Sequence, residues 1–247
     1  MKNYNLIFIS NEDLFNHVKE TVLKYRFSID LKMFNKNIID PIKLTFDSKI
    51  YKKESAFLIE DEIMRQIDKS NTNHIGYFHQ NIFKYLGNDW EVPQTGFDII
   101  NKKKKIYVEM KNKHNTMNSS SSQKTYTRMQ HQLLKVNGST CMLVEIIAKN
   151  SQNSAWNISL DGEHISNANI RRVSIDQFYK IVTGQTNAFR DLCQQLPLVI
   201  EDVIDSLQED MINNSVFEEL EVLSPNILRS LYLLSFAKYE GFENFEI

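Results

Sequence analysis

The chain has 247 residues, 42% hydrophobic and 24% charged, a balance that suits a globular protein with a sizeable core and excludes a disordered or fibrous one. No apolar run approaches the roughly 18 residues that cross a bilayer, and Met1–Ser10 lacks the hydrophobic stretch of a secretory signal, so a cytoplasmic protein is expected. The net charge of −2 hides a division: Pro197–Ile247 carries eleven acidic and two basic residues (−9), and the rest of the chain 27 basic and 20 acidic (+7). A basic body with an acidic end does not exclude a nucleic-acid partner. Cys141 and Cys193 have neither metal-site nor disulfide-framework spacing and read as buried thiols.

Apolar Phe57, Leu58, Ile63, Met64 and Ile67 recur near helical spacing within Lys52–Ser70, and a second helical stretch covers Ile75–Leu86. Trp90–Val92 and Gly96–Ile100 then read as short strands, Asn101–Lys104 as a turn and Lys105–Lys111 as a strictly alternating strand. Lys102–Lys105 forms a four-lysine tip suited to solvent or to phosphate. Ser119–Val136 is helical with Asn137-Gly138 at its end, and Thr140–Ala148 is an apolar run fit for a strand covered on both faces. Strand, helix and strand make a crossover unit, which sets the two strands parallel. Helices follow at Ser174–Val182 (stopped by Gly184), Thr186–Leu196 (stopped by Pro197) and Leu198–Ile212. A last helix has Ser224 as N-cap, Pro225 at its first position and Gly241 beyond its end. The fold class is therefore α/β: a mixed central sheet flanked by helices, in the order helix-strand-strand-strand-helix-strand. Residues 1–196 are expected as one domain with its core at about 53–150, and 197–247 as an appended C-terminal helical lobe.

The chemistry concentrates in Gly96-Phe97-Asp98 and, after a gap of ten residues, Glu109-Met110-Lys111. Strand alternation places Glu109 and Lys111 on one face, and Asp98 on the neighbouring strand reaches the same spot across about 4.8 Å. Two carboxylates in proximity repel, and a hard divalent cation such as Mg²⁺ relieves that repulsion while keeping several waters. Such an ion acidifies a bound water and offsets charge on a phosphate. Lys111 can orient or deprotonate the attacking water, or neutralise the phosphorane; the sequence leaves these roles open. As a bare pattern the trio also fits a solvated strand edge, a reading weakened by its place inside a crossover unit.

The run Gly96-Phe97-Asp98 … Glu109-Met110-Lys111-Asn112-Lys113-His114-Asn115-Thr116-Met117-Asn118-Ser119-Ser120-Ser121 resembles the PD-(D/E)XK nucleases, and within them the type II restriction endonucleases that cut GGNCC or GGWCC palindromes. Arg65–Lys69, Asn73–Gln80, Phe178-Tyr179, Thr183-Gly184 and Leu196-Pro197 share the likeness, which spans roughly Ser55 to Ile200. Thr95-Gly96-Phe97 departs from it, since a proline often precedes the first aspartate. The resemblance implies a restriction-endonuclease-like core in a bacterial cytoplasmic enzyme, Mg²⁺ dependence, double-stranded DNA as substrate, a homodimer, and a cognate methyltransferase sharing the site. It implies Asp98 and Glu109 as metal ligands and Lys111 as their catalytic partner, with Gln80 or Glu62 as an auxiliary group from the preceding helix.

Asn112, Lys113, His114, Asn115, Asn118, Ser119 and Ser120, then Lys124 and Arg128 on the next helix, form a donor-rich segment fit for DNA contacts, each also readable as solvated loop or helix cap. His114 suits a DNA contact or a structural hydrogen bond better than metal ligation, and Arg171-Arg172 are further DNA candidates. The competing functions are a repair or recombination nuclease of the same superfamily and a DNA-binding module without catalysis. Metal-dependent cutting separates the last from the other two.

Overall fold

The computed structural model describes residues 2–26, 28–87, 89–114, 116–160, 162–207 and 215–236. These fall into two compact units, Met1–Leu23 with Ile75–Leu207 and Lys24–His74 with Gln208–Ile247. The chain thus crosses between the units three times, after Leu23, after His74 and after Leu207. Among the described residues no helix is long and apolar enough to cross a membrane.

The first unit is built on a five-stranded mixed sheet. Its strands are β1 (Ile99–Asn101), β2 (Ile106–Lys113), β3 (Thr140–Ile147), β4 (Asn153–Ala155) and β7 (Ile170–Ser174), in the order β1-β2-β3-β7-β4. β5 (Ile158–Leu160) and β6 (Glu163–Ile165) pair as a separate hairpin. β2, β3 and β7 run parallel, whereas β1 and β4 are antiparallel edges. The crossover expected from the sequence is present, with α5 (Ser119–Lys135) joining β2 to β3. Of the three strands expected ahead of α5, the first is reduced to a bridge, Glu91 exchanging both backbone bonds with Ile100 at 2.9 Å. The four-lysine turn is a hairpin tip whose Lys102 and Lys103 pair with Glu91 and Asp89.

The sheet separates two apolar layers, as alternation along its strands requires. Ile106, Val108 and Met110 of β2, with Met142, Val144 and Val173, face a core shared with α1 (Asn11–Val22), α6 (Ile175–Thr183) and α7 (Ala188–Ser206). Cys141, Leu143 and Ile170 face the other way, onto Tyr126 and Met129 of α5 and onto Trp156. Local signals set the helix ends. Ser174 and Gly184 (φ 75°) flank α6 where the sequence places its start and stop. Pro197, by contrast, lies inside α7, which continues to Ser206. Thr186–Leu196 and Leu198–Ile212 are thus one helix over their described residues, because a proline costs an interior helix most where its missing N–H and ring are not relieved by packing. Cys193 is exposed on α7, so only Cys141 is the buried thiol expected.

The second unit contains α2 (Leu31–Lys36), α3 (Pro41–Tyr51), α8 (Val216–Leu223), α9 (Ile227–Phe236) and the first twenty residues of α4 (Ser55–Asn81), around Phe34, Ile59, Ile63, Leu220 and Leu231. The two helical stretches read separately at Lys52–Ser70 and Ile75–Leu86 are one α4 followed by a short 3₁₀ turn at Ile82–Lys84. The last helix starts at Ile227 and not at Pro225; Ser224 instead caps the C-terminus of α8. Gly241 lies outside the described residues.

In the first unit, His79 of α4 is packed beside Phe78, and its Nδ1 has no partner among the described residues. Burial, aided by the nearby His17, lowers its pKa from 6.5 to about 4. The fold therefore holds this ring neutral, and its contribution is complete above pH 6.5 and lost as pH falls toward 4. The urea midpoint should drop across that window, by roughly 3 kcal/mol of stability. In His79→Leu most of that slope should vanish; an equal slope in the variant would assign it to another group.

Candidate active site

The backbone brings Asp98 and Glu109 together first. β1 and β2 pair with Ile99 opposite Val108, and continuing that register sets Asp98 opposite Glu109. The Asp98 N–H donates to the Val108 carbonyl at 2.9 Å, and Asp98 Oδ2 accepts from the Met110 N–H at 2.7 Å. A side-chain oxygen thus stands where a ladder carbonyl would, tying the carboxylate to β2. Gly96, two residues earlier, adopts φ 97°, a conformation open to glycine, at the bend that leads into Asp98.

Glu109 and Lys111 share the face of β2 that looks toward α5, as alternation demands. Lys111 Nζ donates to Glu109 Oε1 at 2.8 Å, and Arg128 of α5 reaches Glu109 Oε2. Arg128 also lies with its guanidinium carbon 4.8 Å from the centre of the Phe97 ring, a cation–π placement. Glu109 is only 9% exposed, so a carboxylate in a dry setting is held by two cations. Asp98 is less well compensated. Desolvation by burial raises its pKa, and the Glu109 charge adds to this, against the lowering effects of the Met110 N–H, Lys111 and Arg128.

One strand further, the parallel register places Lys111 beside Glu145 of β3, and Leu143 beside Arg172 of β7. Glu145 is 1% exposed and forms an ion pair with Arg172. His114 Nδ1 lies 3.1 Å from Glu145 Oε2 and 2.7 Å from Arg172 Nη2. A neutral ring satisfies one of these at Nδ1, accepting from Arg172 or donating to Glu145, and a protonated ring only donates. Burial alone would raise the Glu145 pKa, but the hydrogen bonds from Arg172 and His114 overcome it and hold the carboxyl below its usual range. The row of acidic and basic residues Asp98, Glu109, Lys111, Glu145 and Arg172 runs toward the C-terminal ends of the parallel strands, the end of an open α/β sheet where ligands bind.

The other expected residues divide. Asn118 is the N-cap of α5, accepting from the Ser121 N–H at 2.8 Å, while Ser119, Ser120 and Lys124 are exposed on its first turns. Lys113 is exposed at the end of β2, and Asn115 lies outside the described residues. Asn112 sits on the opposite face of β2 from Lys111, against Gly76 of α4, where an added Cβ would meet its side chain at 3.3 Å. Gln80 lies one turn beyond Gly76 on α4 and is half-buried. Glu62 belongs to the second unit and is bound by Arg65 and Gln66. Arg171 pairs with Asn153, and of the two adjacent arginines only Arg172 faces the carboxylate row. Glu145 was not singled out by sequence reasoning, although a lone carboxylate in the run Thr140–Ile147 was a signal for it.

Among the described residues no group of three or more His, Cys, Asp and Glu is placed to hold a metal ion. Mg²⁺ does not require one, since it commonly takes one or two carboxylates and completes its octahedron with water and substrate oxygens. Asp98 and Glu109 are the oxygen pair that could hold such an ion, which would relieve their mutual repulsion.

The sequence profile described as Eco47II restriction endonuclease matches residues 6–205. The type II restriction enzyme Sau96I of Staphylococcus aureus is 30% identical over 94% of this chain and 99% of its own length. The type II restriction enzyme Eco47II of Escherichia coli is 30% identical over 81% of this chain and 88% of its own. No solved structure matches the chain.

Two stability effects of opposite sign follow. Asp98→Asn keeps an acceptor for the Met110 N–H and removes an under-compensated buried charge, so the metal-free variant should melt a few degrees higher. Glu145→Ala strands Arg172 and should destabilise by about 3–5 kcal/mol. Calorimetric melting without divalent ions checks both; a less stable Asp98→Asn would overturn the electrostatic account.

Proposed function

Because the chain belongs to the Eco47II restriction endonuclease family and is a type II site-specific deoxyribonuclease, we propose that it makes Mg²⁺-dependent double-strand breaks at a short GGNCC-like palindrome, with Asp98, Glu109 and Lys111 at the reacting phosphodiester. The observation that carries this reading is the convergence of two carboxylates and an ammonium on one face of β2, at the C-terminal ends of the parallel strands.

Asp98 and Glu109 are the residues that would hold Mg²⁺, which when bound makes a water more acidic and offsets charge on the phosphate. Lys111 keeps a cation beside that water or beside the phosphorane, and Met110 holds Asp98 in line through its N–H. Lys113 and His114 at the end of β2, with Asn118, Ser119, Ser120, Lys124 and Arg128 of the α5 cap and helix, form the surface we assign to the duplex. Asn115 completes that assignment from sequence. A homodimer matches the two-fold symmetry of a palindrome. A cognate methyltransferase protects the same site in the bacterial cytoplasm.

Digestion of a sequenced plasmid, with the ends mapped, tests the reading directly: discrete fragments in Mg²⁺ are expected, and no site-specific cutting in any divalent metal would overturn it. Asp98→Ala and Glu109→Ala should abolish cleavage and leave specific DNA binding in place. Lys111→Ala should inactivate while metal still binds the DNA complex in calorimetry; loss of metal as complete as in Glu109→Ala would make the lysine structural. Ca²⁺ should support binding with little cutting, because its looser coordination activates water less well.

Arg128 adds a separate expectation for the free protein. Its guanidinium neutralises Glu109, so it competes with a divalent cation for that carboxylate. Arg128→Ala should therefore bind Mn²⁺ several-fold more tightly without DNA, while losing about one unit of salt slope in DNA binding if it also meets a phosphate. Unaltered Mn²⁺ affinity would show that the ion pair does not guard the site.

A further inference from the structure

Beside the catalytic trio the structure holds a cavity of about 70 Å³. Lys111, Lys113 and Arg172 line it together with Glu145, Ser122 and Trp156. Three cations thus face one carboxylate, and that carboxylate is already engaged by Arg172 and by His114. Arg172 keeps a buried Nε donor with no acceptor among the described residues. Ser122 adds a hydroxyl from the first turn of the seventeen-residue α5, whose N-terminal end carries a partial positive charge. An excess of positive charge, an unsatisfied guanidinium N–H and a hydroxyl call for an anionic oxygen ligand. They sit where a nucleic-acid backbone would pass if a phosphate occupies the adjoining trio.

We propose that this cavity is a second phosphate subsite, which receives the phosphodiester next to the one being cut, with Arg172 and Lys113 as its gripping groups and Glu145 as the positioning residue that fixes Arg172. The proposal rests on the nuclease reading and deepens it. Arg172 lies two strands from Lys111, about 10 Å across the sheet, and its long side chain narrows that gap toward the trio. Buried Glu145 has a purpose in this scheme. A long guanidinium side chain left to itself would sample many rotamers, whereas a dry ion pair presents its remaining donors in one orientation.

Binding measured in Ca²⁺ at several salt concentrations tests this, using duplexes with the site mapped for the wild type and scrambled controls. Arg172→Gln and Lys113→Gln should each reduce the salt slope by about one unit, equally on both duplexes, whereas Arg172→Lys should keep the slope. A scan of single methylphosphonates, each removing one phosphate charge, should find a position adjacent to the cut that costs the wild type about tenfold in affinity and costs Arg172→Gln nothing further. Unchanged slopes in both glutamine variants, or an equal methylphosphonate penalty in Arg172→Gln, would overturn the subsite. Lys113 is exposed, so Lys113→Gln decides the matter if Arg172→Gln fails to fold. Wild-type plasmid digestion in Mg²⁺ runs alongside: a wild type that does not cut overturns the nuclease reading, and one that cuts beside unaffected variants overturns the subsite alone.

Discussion

The parallel register between β2 and β3 is the constraint on which the site depends. Lys111 lies beside Glu145 and Glu109 beside Leu143 because α5 returns the chain to the sheet in that one alignment. A slip of one residue would turn Glu145 into the core of Met142 and Val144 and leave Lys111 facing an apolar side chain. The apolar halves of these strands prevent that slip, since they would have to expose Val108, Met110 and Val144 to accommodate it. Packing on one face of the sheet therefore sets the electrostatics on the other.

Those electrostatics are arranged at a cost to stability. Glu109 and Glu145 are both buried, and cations are brought to each of them: Arg128 from the crossover helix and Lys111 from two residues along β2 to Glu109, and Arg172 from β7 to Glu145. Asp98 has the backbone N–H of Met110 as its closest partner and no cation within hydrogen-bonding distance among the described residues. A site whose carboxylates are unequally neutralised retains affinity for positive charge.

The elements read well wherever local signals and packing agreed. Strict alternation at Lys105–Lys111, the apolar run at Thr140–Ala148 and the cap-to-glycine span at Ser174–Gly184 all became the expected strands and helix. Readings failed where a local signal was outvoted. Pro197 stays within α7 because the apolar side chains on both sides of it, Leu192, Val199 and Val203, are buried in one core. Trp90–Val92 forms only a bridge, since β1 is three residues long and offers little edge to extend. β7 escaped notice because Arg171 and Arg172 interrupt its apolar pattern, although each is satisfied on its own face.

Sequence alone determined that Asp98, Glu109 and Lys111 come together, because strand alternation is a local property that two covalently adjacent segments carry with them. It also determined the parallel crossover, because a strand-helix-strand connection has one favoured hand. Tertiary structure decided which cations serve which carboxylate. Arg128 is nineteen residues from Glu109, and Arg172 is 27 from Glu145. Pairings of that separation depend on the order of strands in the sheet, which places β7 beside β3 and brings Arg172 to Glu145 across the register. No periodicity within a single segment encodes that neighbourhood; it exists only once separate segments have packed on a shared core.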